Sequence, residues 1–350
     1  MPGRATITSY NLDWLYQLPL GSHLSANSTS TAAALTLISE DMAAMDLLIQ
    51  RRLRSEVPLV SQVSQYIIAA GGKRLRPGLL LLMCGALGFA GEQRLNLAAV
   101  VEFIHTATLL HDDVVDESTL RRGRATANDV FGNPASVLVG DFLYSRAFQM
   151  MVEAGDMRVM QTLSEATNVI AEGEVLQLVN MHDASLSEET YLRVIRSKTA
   201  KLFEASARLA ALLAKASPEV EHCCAEYGQA LGTAFQVIDD VLDYDGDASV
   251  MGKNLGDDLR EGKATLPLII AMQRATLAER TTISGAIETG TTAELSKIIE
   301  IVKNTGALDA TRLAAAGEAH RALHALRSIS HNKYRSALEQ LASQLLERRA

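Results

Sequence analysis

The chain has only three cysteines, and two of them, Cys223 and Cys224, are neighbours in a helix-like stretch. Adjacent cysteines of that kind cannot build a disulfide framework, so a reducing cytoplasm is the expected setting. No run approaches the eighteen or more uninterrupted apolar residues of a membrane span, and the N-terminus lacks a basic stretch followed by an apolar one. A soluble, unexported protein is therefore expected. Basic charge is also in short supply: 33 Lys and Arg against 41 Asp and Glu give a formal net charge of -8. That balance argues against nucleic acid or an anionic membrane as partner, and it requires any anionic ligand to be held by local cations or by metal. Hairpin signals and fixed-period repeats are missing as well.

What the chain does have is apolar content, 48% of its 350 residues, enough for a substantial core. Residues 1–32 are rich in Ser, Thr and Asn and show no sustained periodicity, which reads as a poorly ordered extension. From residue 33 to 350 long Ala/Leu/Ile/Val/Met segments repeat apolar positions three and four apart, without a composition break. The expectation is one all-α domain, a single large bundle of roughly ten or more helices around a central cavity. Helix starts are read at Asn133 before Pro134, at Ser217 before Pro218, and at Ser185 three residues ahead of Glu188. Leu95–His111, Ser136–Val152, Val159–Val179 and Glu221–Leu242 are apolar around much of their circumference, as buried bundle helices are.

Two of these apolar segments carry Asp-Asp-x-x-Asp: Asp112, Asp113 and Asp116 in one, Asp239, Asp240 and Asp243 in the other. The first and last Asp of each motif share a helix face, about 6 Å apart along the axis. Like charges so close beside apolar neighbours repel, so a cation is expected between them. All-oxygen ligation favours Mg²⁺ or Mn²⁺ over Zn²⁺, and Mg²⁺ held by one or two carboxylates completes its shell with water and phosphate oxygens. A single such motif would read as a solvated helix end, whereas two read as a facing pair. A calcium loop at Asp243–Asp247 is excluded, because its Gly stands at the fourth position rather than the sixth and no Glu stands at the twelfth.

Cations for phosphate occur in Gly71-Gly72-Lys73-Arg74-Leu75-Arg76-Pro77 and in Arg121-Arg122-Gly123-Arg124, the latter five residues beyond Asp116. Either alone would read as an exposed basic turn. His105 lies seven residues before Asp112, about two turns along the same face, where an ordinary core histidine is the commoner outcome.

This ordered set resembles one family, the trans-isoprenyl diphosphate synthases, and within it the long-chain bacterial polyprenyl synthases with octaprenyl-length products. The resemblance spans residues 35–348. It also includes Gly140-Asp141, Glu172-Gly173-Glu174, Lys198-Thr199, Phe235-Gln236, Gly252-Lys253 and Gly256-Asp257-Asp258. It implies an isoprenoid synthase-like fold, a homodimer, and Mg²⁺ contacted by Asp112, Asp116 and Asp239, with Asp113, Asp240 and Asp243 in support. Lys73, Arg76, His105 and Arg122 would hold isopentenyl diphosphate. Arg121, Lys198 and Lys253 would hold the allylic diphosphate, with Thr199 and Gln236 near the reacting carbons. The chain departs from shorter-chain members at Gly173-Glu174-Val175-Leu176-Gln177, where they carry Gly-Gln-x-x-Asp.

The implied reaction ionises an allylic diphosphate, couples the cation to the isopentenyl double bond and loses a proton, repeatedly, to supply a quinone side chain. The product tail would run beside the first-motif helix, past Ala107 and Thr108, whose small side chains leave room for a long chain. Phe103, Ile104, Phe148 and Met151 are candidates for the tunnel floor. Two other readings stay open: a terpene cyclase, which would carry one such acidic motif, and a non-catalytic subunit of a heteromeric synthase, which would have lost members of the set.

Overall fold

The computed structural model describes residues 34–245 and 255–347; the extension at 1–32 and Lys253 lie outside the described residues. Among them, sixteen α-helices account for almost all regular structure. The first half runs α1 (Ser39–Arg52), α2 (Pro58–Ala69), α3 (Leu75–Ala86), α4 (Gln93–Val115), a miniature hairpin, α5 (Ala127–Phe131), α6 (Asn133–Glu153) and α7 (Met157–Val179). Then follow α8 (Glu188–Ile195), a π-helical segment (Arg196–Ala200), α9 (Lys201–Leu213) and the long α10 (Pro218–Asp245). The chain closes with α11 (Asp257–Arg260), α12 (Leu266–Arg274), α13 (Leu277–Thr289), α14 (Leu295–Asn304), α15 (Ala307–Ala325), a 3-10 turn and α16 (Lys333–Glu347).

All four segments read as buried helices fall inside α4, α6, α7 and α10. Helix α4 buries Leu97 to Ile104 as one continuous run, and α10 buries sixteen of its residues. Neither could be a surface helix, and each fully covered Leu, Ile or Phe contributes about 1.5–3 kcal/mol. The main core joins α3, α4, α6, α9 and the first half of α10. A second core joins α8, the last turns of α10 and α12 to α15. Helix α10 therefore passes from one core into the other, and its acidic motif emerges at the junction.

Helix starts differ in detail from the sequence reading. Ser217 does cap α10, accepting from Val220 N–H at 3.4 Å. Helix α8, however, is capped by Ser187, which accepts from Thr190 N–H, while Ser185 pairs with Asp183. At α6 the cap position is Gly132, with Asn133 and Pro134 already in the first turn. No hairpin was expected, yet Leu120–Arg121 pairs antiparallel with Arg124–Ala125. Its two-residue turn is Arg122-Gly123, with φ of 54° and 72°. Positive φ at both positions matches the twist of paired strands, but the usual sequence signal is Asn-Gly, and an Arg there conceals it.

Candidate active site

Both acidic motifs sit near the C-terminal end of a helix, Asp112, Asp113 and Asp116 in the last turn and cap of α4 and Asp239, Asp240 and Asp243 in the last two turns of α10. A helix C-terminus carries partial negative charge, so carboxylates there are repelled by the backbone as well as by each other. The structure answers this with two lysines. Lys198 Nζ lies 3.5 Å from Asp112 Oδ2 and 2.5 Å from Glu174 Oε2. Lys263 Nζ lies 3.5 Å from Asp116 Oδ2 and pairs with Glu261. Lys198 and Lys263 also line one cavity with Thr199, Gln236, Asp240 and Asp258. The two ammonium groups that meet the first motif therefore also border a cavity lined by Asp240 of the second.

The local backbone explains how Lys198 gets there. It lies in the π-helical segment, a widened turn of the kind often found at functional sites. A Cβ on Gly173 of α7 would stand 2.8 Å from the Lys198 backbone nitrogen, so only glycine allows α7 this close. Glu174, next in α7, then meets the Lys198 ammonium. Burial raises the Glu174 carboxyl to about 7, the Lys198 charge opposing and Asp112 and Asp116 adding to the rise. For Lys263, burial would lower the ammonium, but Glu261, Asp116 and Asp258 together hold it well above its ordinary value.

The middle carboxylates are turned inward. Asp113 is fully buried and accepts from Arg121 Nε at 2.8 Å and Nη2 at 2.7 Å, fixing that guanidinium beside the motif. Asp240 is 2% exposed and accepts from Tyr191 Oη at 2.5 Å and from Gln236 Nε2 at 2.8 Å. Burial and the neighbouring Asp258 push it up to about 8, against the two hydrogen bonds. Gln236 in turn accepts from Thr199 Oγ1 at 3.1 Å, linking the second motif to the Lys198 segment. Asp243 is buried and accepts from Asp258 N–H at 3.3 Å. Asp239 remains half-buried, within electrostatic reach of Arg76.

A separate group of cations lies beside α4. Arg76 Nη1 is 3.2 Å from His105 Nε2 and its guanidinium stacks 4.5 Å above the Phe203 ring. Arginine only donates, so His105 Nε2 accepts and the ring is neutral, in keeping with burial and the charges of Arg76, Arg122 and Arg121 that lower its proton affinity. Arg122 and Lys73 are exposed at the same end, the Arg122 guanidinium lying against Gly72.

A groove of about 610 Å³ opens from Asp112 and Asp116 and runs between α4, α6 and α7, past Thr108, Tyr144, Phe148 and Ile170. Thr108 lines it, whereas Ala107 is fully buried in the main core. Phe103, Ile104 and Met151 are buried as well, so of the four floor candidates only Phe148 faces the groove. Sequence reasoning assigned no role to Lys263, Glu261, Tyr191 or Glu102. Lys263 carries no local signal, because Arg260-Glu261-Gly262-Lys263 reads as an ordinary mixed-charge turn and its partner Asp116 comes from a distant helix.

The donor set suits a hard divalent cation, since Asp112 and Asp116 present oxygens alone and each already faces a positive charge. Among the described residues, no three His, Cys, Asp or Glu side chains are gathered tightly enough to hold a metal by themselves. A cation here would complete its shell with water and phosphate oxygens.

Comparison with known proteins gives a consistent set of likenesses. Residues 57–304 match the family described as Polyprenyl synthetase. The chain is 51% identical over 313 residues to octaprenyl diphosphate synthase of Escherichia coli (strain K12), covering 89% of this chain and 97% of that one. It is 47% identical over 314 residues to the all-trans-nonaprenyl-diphosphate synthase (geranyl-diphosphate specific) of Rhodobacter capsulatus, covering 89% and 96%. The fold superposes with a TM-score of 0.89 on a polyprenyl synthase from Caulobacter crescentus CB15 complexed with calcium and isoprenyl diphosphate, at 46% identity and covering 92% and 99%.

Proposed function

The chain belongs to the polyprenyl synthetase family and is a prenyltransferase, and from that premise we propose a magnesium-dependent homodimer that extends an allylic diphosphate such as farnesyl diphosphate with isopentenyl diphosphate to octaprenyl length. The observation that carries this reading is the pair of lysines set against Asp112 and Asp116, which open onto an apolar groove, beside a cavity shared with Asp240 of the second motif. Such a mouth can take up a polyanion and several cations together, and the groove can take up a hydrocarbon tail.

In this reading Asp112, Asp116 and Asp239 hold Mg²⁺, which when bound supplies charge neutralisation for the leaving diphosphate. Lys198 and Lys263 exchange their aspartate contacts for the allylic diphosphate while Glu174 and Glu261 keep them in place, and Arg121, fixed by Asp113, adds a bidentate donor. Lys253 joins them by resemblance. Lys73, Arg76, His105 and Arg122 hold the isopentenyl diphosphate, with neutral His105 able to serve as donor or acceptor. The allylic C–O bond breaks and its electron pair leaves with the diphosphate. The isopentenyl double bond then forms the new C–C bond, and the departing pyrophosphate accepts the proton that restores the alkene. Thr199 and Gln236, bonded to each other, present oxygens towards the developing cation.

No helix of the described residues is long and apolar enough to cross a membrane, and all three cysteines are free, which supports a cytoplasmic enzyme. Exposed Leu138, Val152, Val175 and Val179 on α6 and α7 support pairing with a second copy. A quinone side chain is the proposed fate of the product. Purified protein incubated with farnesyl diphosphate, labelled isopentenyl diphosphate and Mg²⁺ should give C40 as its main product. Termination at C15 to C20 would overturn the long-chain reading.

A further inference from the structure

Glu102 is a carboxylate with no place in the proposed chemistry, yet it is 9% exposed inside a helix that is otherwise apolar at that level. Burying an acid without purpose is costly, so its surroundings matter. It stands three residues before His105 on α4, on the face turned towards the start of α3. Its Oε1 lies 3.1 Å from Arg74 Nη1, and its Oε2 has no hydrogen-bond partner. Arg76 and Arg122 also lie within its electrostatic reach, and burial raises the carboxyl against the pull of all three arginines.

Arg74 is unusual in its own right. It precedes α3 with φ of 48° and ψ of 37°, a left-handed conformation that side chains other than glycine and asparagine seldom adopt and that costs roughly 1 kcal/mol. Its guanidinium is anchored on both sides, to Glu102 and, at 3.4 Å, to Asp46 of α1. Lys73, directly before this anchored position, and Arg76, two residues after it, are among those assigned to isopentenyl diphosphate. Whatever holds the Arg74 backbone therefore sets where Lys73 and Arg76 point. Arg122 completes the group from the hairpin, its guanidinium so close over Gly72 that a Cβ there would stand 2.7 Å from Nη1.

We propose that Glu102 is a positioning residue for the isopentenyl diphosphate site: through Arg74 it fixes the left-handed turn from which Lys73 and Arg76 project, and it balances the clustered guanidinium charge while no diphosphate is present. The inference rests on the assignment of Lys73, Arg76, His105 and Arg122 to that substrate. Glu102 touches neither the substrate nor the reacting carbons, so its removal acts on one Michaelis constant and spares the chemical step.

The test is steady-state kinetics of Glu102→Gln in the full chain, with both substrates varied separately and the Tm recorded. The expected result is a KM for isopentenyl diphosphate raised about tenfold or more, as for a lost part-buried ion pair. The KM for farnesyl diphosphate and kcat should stay within about twofold, the range of a barrier change well under 1 kcal/mol. Arg74→Met should give the same pattern, and the double variant should be no worse than Arg74→Met alone, because the two residues act as one unit. An unchanged KM for isopentenyl diphosphate in Glu102→Gln would overturn the proposal. So would a parallel loss in both Michaelis constants and kcat that tracks a fall in Tm. Arg76→Met separates the two layers: if it fails to raise the KM for isopentenyl diphosphate, the site assignment itself is wrong and the inference falls with it. If it succeeds while Glu102→Gln has no effect, the site stands and Glu102 has no part in it.

Discussion

Replacing Lys263 by glutamine tests whether the lysines hold the place of the metal in the free enzyme. Lys263 Nζ stands 3.5 Å from Asp116 Oδ2, both side chains being under a fifth exposed. At an effective dielectric of 20 the attraction at that distance is about 4–5 kcal/mol before desolvation. Desolvation and side-chain ordering leave roughly 1–3 kcal/mol of it. A divalent cation arriving at Asp116 has to displace this contact, so its removal should tighten Mg²⁺ binding to the substrate-free protein roughly fivefold to hundredfold. Glu261, left without its ammonium partner, changes affinity in the same direction. Turnover should fall, because the same ammonium is then missing from the diphosphate. The assay is a Mg²⁺ titration of thermal stability without substrate, run beside kcat on the same preparations. An unchanged Mg²⁺ midpoint would show that Lys263 does not compete with metal and would refute the reasoning.

Asp112→Asn and Asp239→Asn should each lower kcat by at least a hundredfold at saturating Mg²⁺ while the fold stays intact by circular dichroism; retained turnover would remove them from the metal site. Thr108→Tyr places a ring in the groove one turn below Asp112 and should shorten the main product, read by sizing the dephosphorylated alcohols. Ala107→Tyr enters the packed core instead and should show a lowered Tm, since overpacking typically costs about 1–3 kcal/mol. Glu221 joins Arg158 of α7 at 2.5 Å and Arg208 of α9 at 2.9 Å. Burial alone would raise its carboxyl, but the two guanidinium bonds outweigh it and hold it below the ordinary range. Its stabilisation is therefore present above the unfolded value, about 4.3, and is lost as pH falls through the lower folded value. Glu221→Gln should lower stability by about 1–3 kcal/mol at pH 7 and flatten the dependence of Tm on pH below about 4.5.

Much of the fold could be read from the chain because burial writes itself into composition. Helices α4, α6, α7 and α10 are apolar around much of their circumference, a pattern that needs no knowledge of neighbours, although α6 and α7 leave more of their residues uncovered than α4 and α10. The paired Asp-Asp-x-x-Asp segments were equally plain, since repulsion at that spacing demands a counter-charge wherever the helices go. Partnerships between distant elements left no such trace. Nothing near Lys263 announces Asp116, and nothing near Tyr191 announces Asp240. The Arg122-Gly123 turn escaped because arginine rarely adopts positive φ, and here its guanidinium lies over Gly72 on the facing loop. Ala107 and Thr108 are adjacent in the chain and both small, but a helix turns 100° per residue, so one enters the core and the other the groove.

The charge pattern of the site follows from where its helices end. Two long helices bring three carboxylates each to their negative poles, an arrangement that would destabilise the fold if nothing opposed it. The opposing groups are mainly side chains, with one backbone N–H, that of Asp258, on Asp243. Arg121 donates twice to Oδ1 of the fully buried Asp113, whose Oδ2 has no hydrogen-bond partner. Lys198 and Lys263 instead sit 3.5 Å from Asp112 and Asp116, longer than their contacts to Glu174 and Glu261. Each lysine is thus held mainly by a glutamate and only loosely by an aspartate. On the proposed reading, that asymmetry would let the aspartates accept a divalent ion while the lysines stay in place to meet the diphosphate that accompanies it. Glu174 and Glu261 are then the residues that keep the ammonium groups positioned through that exchange, and at the first of these positions the chain departs from the Gly-Gln-x-x-Asp pattern of shorter-chain enzymes.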